Sequence, residues 1–259
     1  MSVLAWIVAF TALGGAASAG IASLFMLLPA RARLRMLPHL VSFATGALLG
    51  AALLALLPHA IERVGPSRVH EIGIALVCGI GLFFVLEKLV LWRHCHADDC
   101  ETHVPQAHHR DKAAAMLVLI GDGFHNLLDG VLIAAAFLTD IRLGVVTAIA
   151  VMAHEIPQEV GDFAVLLQSG MSRVRALLLN LLTSLTSVIG GIVAYFVLRA
   201  ALDALPYALA VAAACFLYVA VADLIPGLHR RVDLRGSAAQ VALIGIGIAV
   251  IAYAETHAH

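Results

Sequence analysis

Two short stretches of this chain place ionisable residues inside otherwise apolar sequence. Residues 121–130 read GDGFHNLLDG, and residues 154–162 read HEIPQEVGD. Imidazole nitrogen combined with carboxylate oxygen suits zinc, iron or manganese, whereas calcium and magnesium favour sites built from oxygen alone. The residue types therefore predict a site for a divalent transition metal.

The spacing within each stretch places its candidate ligands on one helix face, because positions four apart lie one turn from each other. His125 and Asp129 have this spacing, and His154 and Gln158 have it too. If the two faces meet, these four side chains could surround one cation. An adjoining oxygen-rich shell would then come from Asn126, Glu155 and Glu159.

The surrounding chain has the composition of a membrane protein. Of its 259 residues, 62% are hydrophobic and 13% are charged, whereas a soluble domain carries about 25% charged residues. Eight apolar runs are long enough to cross a bilayer, and they cover residues 1–29, 37–61, 71–92, 113–139, 143–168, 174–202, 204–228 and 237–254. Because lipid offers no partner to backbone N–H and C=O groups, each run must be helical. We predict an all-α fold, an integral membrane bundle of eight transmembrane helices forming one domain over residues 1–259.

Cysteine content and net charge exclude two other classes of protein. Four cysteines in 259 residues are too few for a disulfide scaffold. A formal net charge of −1 gives no electrostatic footprint for nucleic acid. We therefore expect no nucleic-acid partner.

Lysine and arginine residues are divided unequally between the predicted connections. Eleven lie in the connections on one side of the bundle and four on the other. Since cytoplasmic loops carry the excess of positive charge, both termini are predicted to lie outside. We expect residence in a plasma membrane, with the bacterial inner membrane as the first candidate.

Both polar stretches lie near the predicted bilayer midplane. A charged residue there costs at least about 2.5–3.5 kcal/mol, and Lys88 is the only basic residue well inside a predicted helix. The carboxylates therefore need a bound cation, protons or water, and a polar network that only fastens helices together is the alternative. Pro157 cannot donate to the carbonyl of Ala153, which predicts a kink beside the cluster.

The two motifs resemble those of the ZIP family (Zrt/Irt-like proteins) of divalent metal transporters. His125-Asn126-x-x-Asp129-Gly130 is followed by His154-Glu155-x-Pro157-x-Glu159, which is similar to the branch with the longer His-Glu-x-Pro-His-Glu signature. The resemblance extends to Leu57-Pro58-His59 and to Asp223-Leu-Ile-Pro226, which end the second and seventh predicted helices. It implies transport of zinc, or of iron, manganese or cadmium, into the cytosol through a two-metal site between helices 4 and 5. No ATP would be hydrolysed, and the sequence has no Gly-x-x-x-x-Gly-Lys phosphate loop.

Some positions depart from the pattern of that branch. Gln158 stands where a second histidine is usual, and a neutral amide oxygen is a weaker zinc ligand than imidazole. Helix 2 has Ala51 and Ala55 where relatives often carry Asp and His, and in place of a carboxylate helix 6 offers Asn180, Thr183, Ser184 and Ser187. We expect one strong site with a weaker neighbour, the strong site being built on His125, Asp129, His154 and Glu155.

Other polar residues mark a predicted transport pathway. The candidates are Glu159, Asp122, Asp162, His59 and Asp223. His59 would admit the ion from outside, and Asp122 and Asp162 would mark its exit toward the cytosol. Helix packing or a solvated position at the membrane surface is the alternative for these residues.

The connection at residues 93–112 is predicted to be a cytosolic loop rich in His, Cys and acidic residues. Its candidate ligands are His94, Cys95, His96, Cys100 and His103. Their irregular spacing does not fit a folded zinc finger, so weak and exchangeable metal binding is expected, with an inert polar loop as the alternative.

Two other functions compete with transport. One is a membrane metal sensor without transport, and the other is an intramembrane zinc protease, because His154-Glu155-x-x-Gln158 is similar to a His-Glu-x-x-His helix. The second histidine is missing. Leu128-Asp129-Gly130 is similar to the Leu-Asp-Gly element of such proteases, but it precedes the His-Glu helix here and follows it in them. We therefore expect no enzyme activity and no resident cofactor. The expected partners are Zn²⁺ (or Fe²⁺, Mn²⁺, Cd²⁺) as cargo, the lipid bilayer, and a second copy of the chain in a homodimer.

Overall fold

The computed structural model describes residues 2–95, 107–229 and 234–256, and within these ranges it contains helices and no strand. Six uninterrupted helices are α1 (Val3–Phe25), α3 (Val69–Cys95), α4 (Ala107–Thr139), α5 (Ile141–Gln168), α6 (Arg173–Ala200) and α8 (Leu234–Thr256). The other two long helices each contain a π-helical turn. α2 consists of Ala30–Gly50, the turn Ala51–Leu56 and Leu57–Val64, and α7 consists of Leu205–Tyr218, the turn Val219–Leu224 and Ile225–Leu228. The predicted all-α bundle is confirmed.

Most of these helices could cross a bilayer by length and composition. In the described part of the chain seven spans meet both criteria, and they lie in α1, α2, α3, α4, α6, α7 and α8. The exception is α5, because its polar residues from His154 to Asp162 lower its apolar content. The chain is thus a multi-pass membrane protein, and the placement of its termini outside stays a prediction.

Several predicted helix boundaries were wrong by up to about two turns. α2 begins at Ala30, so Arg31, Arg33 and Arg35 lie in its first turns rather than in a connection. α3 extends to Cys95 and α4 begins at Ala107, so both ends of the predicted loop at 93–112 are helical. The predictions placed each boundary where polar residues begin, but a helix continues past that point because polar side chains are also compatible with helical backbone.

Both π-helical turns are followed by a proline at the second position. Pro58 follows Ala51–Leu56, and Pro226 follows Val219–Leu224. Proline has no N–H to donate, so the regular hydrogen-bond ladder cannot continue unchanged through either position. In both helices a π-helical turn, a rare element that occurs mostly as a single turn inside an α-helix, stands directly before this interruption. Pro157, by contrast, lies inside α5, which runs as α-helix from Ile141 to Gln168.

A single residue, Asp140, connects α4 to α5. Its carboxylate accepts hydrogen bonds from the backbone N–H groups of Arg142 at 2.8 Å and Leu143 at 3.3 Å, which caps the N-terminus of α5. So short a connection makes the two helices antiparallel neighbours. His125 lies fifteen residues before Asp140 and His154 fourteen residues after it. At 1.5 Å per residue, both histidines therefore lie roughly 21–23 Å from this turn.

Glycine residues allow α4 and α6 to pack backbone against backbone. A Cβ atom on Gly130 would lie 1.8 Å from the carbonyl oxygen of Ser187, and one on Gly190 would lie 2.0 Å from that of Leu127. The same relation joins α2 to α8, since a Cβ atom on Gly46 would lie 2.1 Å from the carbonyl oxygen of Ile244. Small residues thus permit these close helix contacts.

Candidate metal centre

α4 and α5 bring four candidate ligands together. One atom from each of His125, Asp129, His154 and Glu155 lies within 4.8 Å of the corresponding atoms of the other three. Asp129, His154 and Glu155 are buried, whereas the side chain of His125 is 23% exposed. The antiparallel pairing at Asp140 explains this meeting, because it places the two ligand faces at equal depth.

The distances within the cluster fit the edges of a small coordination polyhedron. The two Nε2 atoms of His125 and His154 are 3.1 Å apart. Asp129 Oδ2 lies 3.5 Å from His125 Nε2 and 3.3 Å from His154 Nε2. Ligands about 2.0–2.1 Å from a tetrahedral zinc ion are separated by about 3.3–3.4 Å. The three atoms therefore already have the spacing that a tetrahedral zinc site requires.

The backbone of α5 fixes the orientation of the His154 ring. Its Nδ1 atom is 3.2 Å from the carbonyl oxygen of Ala150. A carbonyl oxygen can only accept a hydrogen bond, so Nδ1 carries the hydrogen and donates it. Nε2 is then left with a lone pair that points into the cluster, which is the arrangement found for histidines that bind a metal. Phe216 of α7 packs edge-on against the same ring, with the ring centroids 6.2 Å apart.

Three of the four carboxylate oxygens in the cluster lack a hydrogen-bond donor among the described residues. Within the described residues, both oxygens of Asp129 and Oε1 of Glu155 are buried and accept no hydrogen bond. Glu155 Oε2 lies 3.5 Å from the hydroxyl of Ser18 on α1. The basic groups found within 4 Å of Asp129 in the described part of the chain are the two histidines. Buried carboxylates in this state are costly unless a positive charge joins them.

The remaining predicted ligands, Asn126 and Gln158, border the four-residue cluster from different sides. Asn126 lines a small cavity beside Asp129 and Glu155, and its side-chain amide donates to the carboxylate of Asp122 at 2.9 Å. Gln158 lines a larger cavity together with both histidines.

The larger cavity has a volume of about 470 Å³ and opens beside His125 and His154. Its lining comes from the halves of α2, α3, α4, α5 and α7 that lie nearest the α3–α4 connection. On the opposite side of the site the bundle is filled by buried apolar side chains, including Ile133, Phe137, Leu143 and Val151. The cluster is therefore more accessible from the α3–α4 end than from the end that contains Asp140.

Of the predicted pathway residues, two lie buried on the α3–α4 side of the cluster. Asp122 is 5% exposed and Glu159 is fully buried. Glu159 accepts a hydrogen bond from the hydroxyl of Ser184 on α6 at 3.0 Å. Asp162, one turn further along α5, is half-buried.

His59 lies apart from this group, in a separate cavity of about 380 Å³ near Asp140 that also contains Glu62 and Glu255. Its Nδ1 atom donates to the carbonyl oxygen of Ala55 at 2.9 Å. The structure places it at the opposite end of α5 from Asp162, and its role in a pathway stays a prediction.

Other predicted ligands cannot be placed. His96, Cys100 and His103 lie outside the described residues, and for His94, Cys95 and Asp223 only the backbone is described. The metal-binding role of the 93–112 segment therefore stays a prediction.

Sequence reasoning missed the contribution of Ser18. It lies in the small-residue run of α1, where glycine, alanine and serine are typical of helix packing, and it is fully buried against Glu155. The one signal in the sequence is that Ser18 is a polar residue on an otherwise apolar face of α1, and this signal alone could have indicated a role in the site. Ser184 was named as a candidate, but its contact with Glu159 could not be derived from spacing within one helix.

Two imidazoles and two carboxylates gathered inside a helical membrane bundle are typical of a membrane protein that handles metal ions. The family model described as ZIP zinc transporter matches residues 93–255. The chain belongs to this family, as the two motifs indicated.

Several curated relatives are named as zinc transporters. Zinc transporter zipt-7.1 of Caenorhabditis briggsae is 30% identical over 283 residues, covering 88% of this chain and 71% of that protein. Zinc transporter ZIP13 of Pongo abelii is 32% identical over 227 residues, covering 83% of this chain and 66% of that protein. For human ZIP10 the identity is 44% over 112 residues, which cover 43% of this chain but only 14% of that protein. The chain thus matches most of the nematode relative and a small part of the human one.

Proposed function

We propose that this chain transports divalent transition metal ions, with zinc as its principal cargo, into the cytosol through the site formed by His125, Asp129, His154 and Glu155. Membership of the ZIP family supports metal transport in general. The choice of metal, the direction and the site are our proposal. The observation that carries it is the spacing of 3.1, 3.3 and 3.5 Å among the two Nε2 atoms and the unpartnered Asp129 carboxylate.

The mixed ligand set supports a transition metal over magnesium or calcium. Imidazole nitrogen is a good ligand for zinc and iron but not for hard alkaline-earth ions, which take oxygen ligands. A two-histidine, two-carboxylate site also suits iron(II) and manganese(II). These ions and cadmium are therefore secondary cargo in the proposal.

The direction of transport follows from charge and from access. Most of the lysine and arginine lies in the connections and adjoining helix ends on the α3–α4 side, which supports placing that side in the cytosol. The 470 Å³ cavity reaches the histidines from the same side. We infer that this conformation releases ions to the cytosol, and that a second conformation separates the apolar side chains around Phe137 to admit them from outside.

Residence in a plasma membrane remains part of the proposal. The three relatives named above come from animals, so they give no support to the bacterial inner membrane. We propose no catalytic step and no resident cofactor, because the metal is cargo. A homodimer also stays a prediction.

Flux measurements in proteoliposomes test the proposal. Purified wild type, Asp129→Ala and the control Asp203→Ala are reconstituted, and entry of zinc, iron(II), manganese and magnesium is followed with an indicator inside the vesicles. Asp203 is exposed in the short connection before α7, so its loss should leave flux unchanged. We expect transition-metal uptake that Asp129→Ala abolishes, with magnesium excluded. Zinc binding without any flux in folded protein would instead identify a sensor.

A further inference from the structure

A hydrogen bond joins α2 to α4 at the Asp140 end of the bundle. Arg63 lies in the last turn of α2, and its Nη2 atom donates to the carbonyl oxygen of Thr139 at 2.8 Å. Thr139 is the last residue of α4. The last four carbonyl groups of an α-helix have no partner within the helix, and they form the negative end of its dipole. A guanidinium is therefore a well-matched donor for this carbonyl.

The two helices that this bond joins pack closely on different neighbours. α2 packs backbone against backbone on α8, since a Cβ atom on Gly247 would lie 2.4 Å from the carbonyl oxygen of Phe43. α4 is held in the same way on α6 at Gly130. Arg63 thus links the α2–α8 pair directly to a helix that carries two of the metal ligands.

The bond borders the cavity of about 380 Å³ at this end of the bundle, whose lining includes Arg63, Thr139 and Leu143. Leu143 is one of the apolar side chains that fill the bundle between this cavity and the metal centre, and it is 1% exposed. An ion that enters from this end needs these side chains to separate. Separation of α2 from α4 breaks the Arg63–Thr139 bond, because an N–H···O bond needs its heavy atoms within about 3.2 Å.

Acidic residues in the same cavity are engaged with other groups. The carboxylate of Asp140 accepts from the backbone of Arg142 and caps α5. Glu255 Oε1 lies 3.6 Å from His59 Nδ1. The hydrogen bond that the structure shows for the Arg63 guanidinium is to backbone, so it depends on the position of α4 rather than on the rotamer of an acidic side chain.

We propose that Arg63 is a positioning residue for transport, whose bond to Thr139 holds the Asp140 end of the bundle closed while the metal centre is accessible from the α3–α4 end. This inference rests on the proposed function, because that function requires a second conformation open at the Asp140 end. The bond exists in one conformation and is broken in the other, so it shifts the balance between them. Its charged donor strengthens it, while the exposure of Arg63 limits that strength. The bond therefore favours closure without preventing opening.

Thiol labelling of metal-free protein in lipid nanodiscs tests this role. Leu143→Cys places a reporter beneath the bond, and a charged, water-soluble thiol reagent measures its accessibility. Arg63→Gln and Arg63→Lys are made in this background. Arg142→Gln, an exposed arginine that lines the same cavity, is the matched control. Cys215, which is buried in α7, reports any general loosening of the bundle, and peptide mapping separates its labelling from that of the reporter.

We expect Arg63→Gln to raise the labelling rate of the reporter by about threefold or more. Arg63→Lys keeps a charged donor and should raise the rate less, and Arg142→Gln should leave it unchanged. Labelling of Cys215 should not rise in any variant. A reporter rate that Arg63→Gln leaves unchanged would overturn the positioning role, and so would an equal rise at the reporter and at Cys215.

Zinc flux in proteoliposomes gives a second readout, in chains that keep Leu143. A larger population open at the Asp140 end should lower the apparent KM for zinc entry from that end by about threefold in Arg63→Gln. A reduced maximal rate with an unchanged KM would instead indicate a structural defect and overturn the proposal. Absence of flux in the wild type would contradict the proposed function, whereas the labelling is measured without metal, so the two failures are distinguishable.

Discussion

His125 and His154 face each other across the α4–α5 interface with their Nε2 atoms 3.1 Å apart and their rings nearly perpendicular, at 86°. The hydrogen on His154 Nδ1 is committed to the carbonyl of Ala150, so its Nε2 atom can only accept. Asp129 then presents an unpartnered oxygen to both rings. These three atoms lie close enough together for one cation to contact all of them.

Removal of one histidine should weaken metal binding without unfolding the protein. His154→Ala is expected to lower zinc affinity by at least about tenfold, because it removes a ligand whose ring is already oriented by the backbone. Competition against a chromophoric chelator in detergent measures this. His39→Ala, at an exposed position of α2, is the matched control and should bind zinc as the wild type does.

A histidine at position 158 should strengthen zinc binding. Gln158 lines the cavity beside His125 and His154, and imidazole is a better zinc ligand than an amide oxygen. Gln158→His is expected to raise zinc affinity by about tenfold and to raise it more than manganese affinity. The same substitution at exposed Gln168, at the end of α5, should change neither. Equal gains at both positions would show that the added imidazole acts nonspecifically.

Zinc binding should weaken as the pH falls. Metals bind the deprotonated forms of imidazole and carboxylate, so protons compete with zinc at His125, His154, Asp129 and Glu155. Lowering the pH adds protons to the free ligands and therefore raises the apparent dissociation constant. Titrations between about pH 7.5 and 5.5, where ordinary imidazoles take up a proton, check this. An affinity that stays flat over this range would contradict histidine ligation.

A methyl group at Gly130 should separate α4 from α6. The added Cβ atom would lie 1.8 Å from the carbonyl oxygen of Ser187, which is rigid backbone. Gly130→Ala is therefore expected to cost about 1–3 kcal/mol and to reduce transport, because α4 carries two of the ligands. Thermal unfolding in detergent measures the loss. Gly81→Ala on α3, where a Cβ atom would meet nothing within 4 Å, should unfold at or above the wild-type temperature.

The helical bundle and the meeting of His125, Asp129 and His154 could be predicted because they depend on local rules. Spacing alone named Gln158 as the fourth member, whereas the structure brings Glu155 to that position. Apolar run length required helices in lipid, and i,i+4 spacing placed His125 with Asp129 on one face. Because Asp140 alone connects α4 to α5, the two helices run side by side, and motifs at equal depth on them meet. These steps need no knowledge of distant contacts.

Features that depend on contacts between distant helices could not be predicted in this way. Ser18 lies beside Glu155, and Ser184 beside Glu159, only because α1 and α6 pack against α5. Spacing within a single helix cannot show either contact. The π-helical turns before Pro58 and Pro226 were missed because proline predicts only that the regular ladder is interrupted, not how the backbone adjusts. Helix ends were misplaced where polar residues continue the helix.

X-ray absorption at the zinc edge tests the central claim most directly, on protein in nanodiscs loaded with one equivalent of zinc. The account predicts two imidazole nitrogens and two oxygens at about 2.0–2.1 Å, and a loss of one imidazole contribution in His125→Ala and in His154→Ala. His39→Ala should give the wild-type spectrum. An all-oxygen shell, or a spectrum unchanged by both site substitutions, would contradict a metal site between α4 and α5.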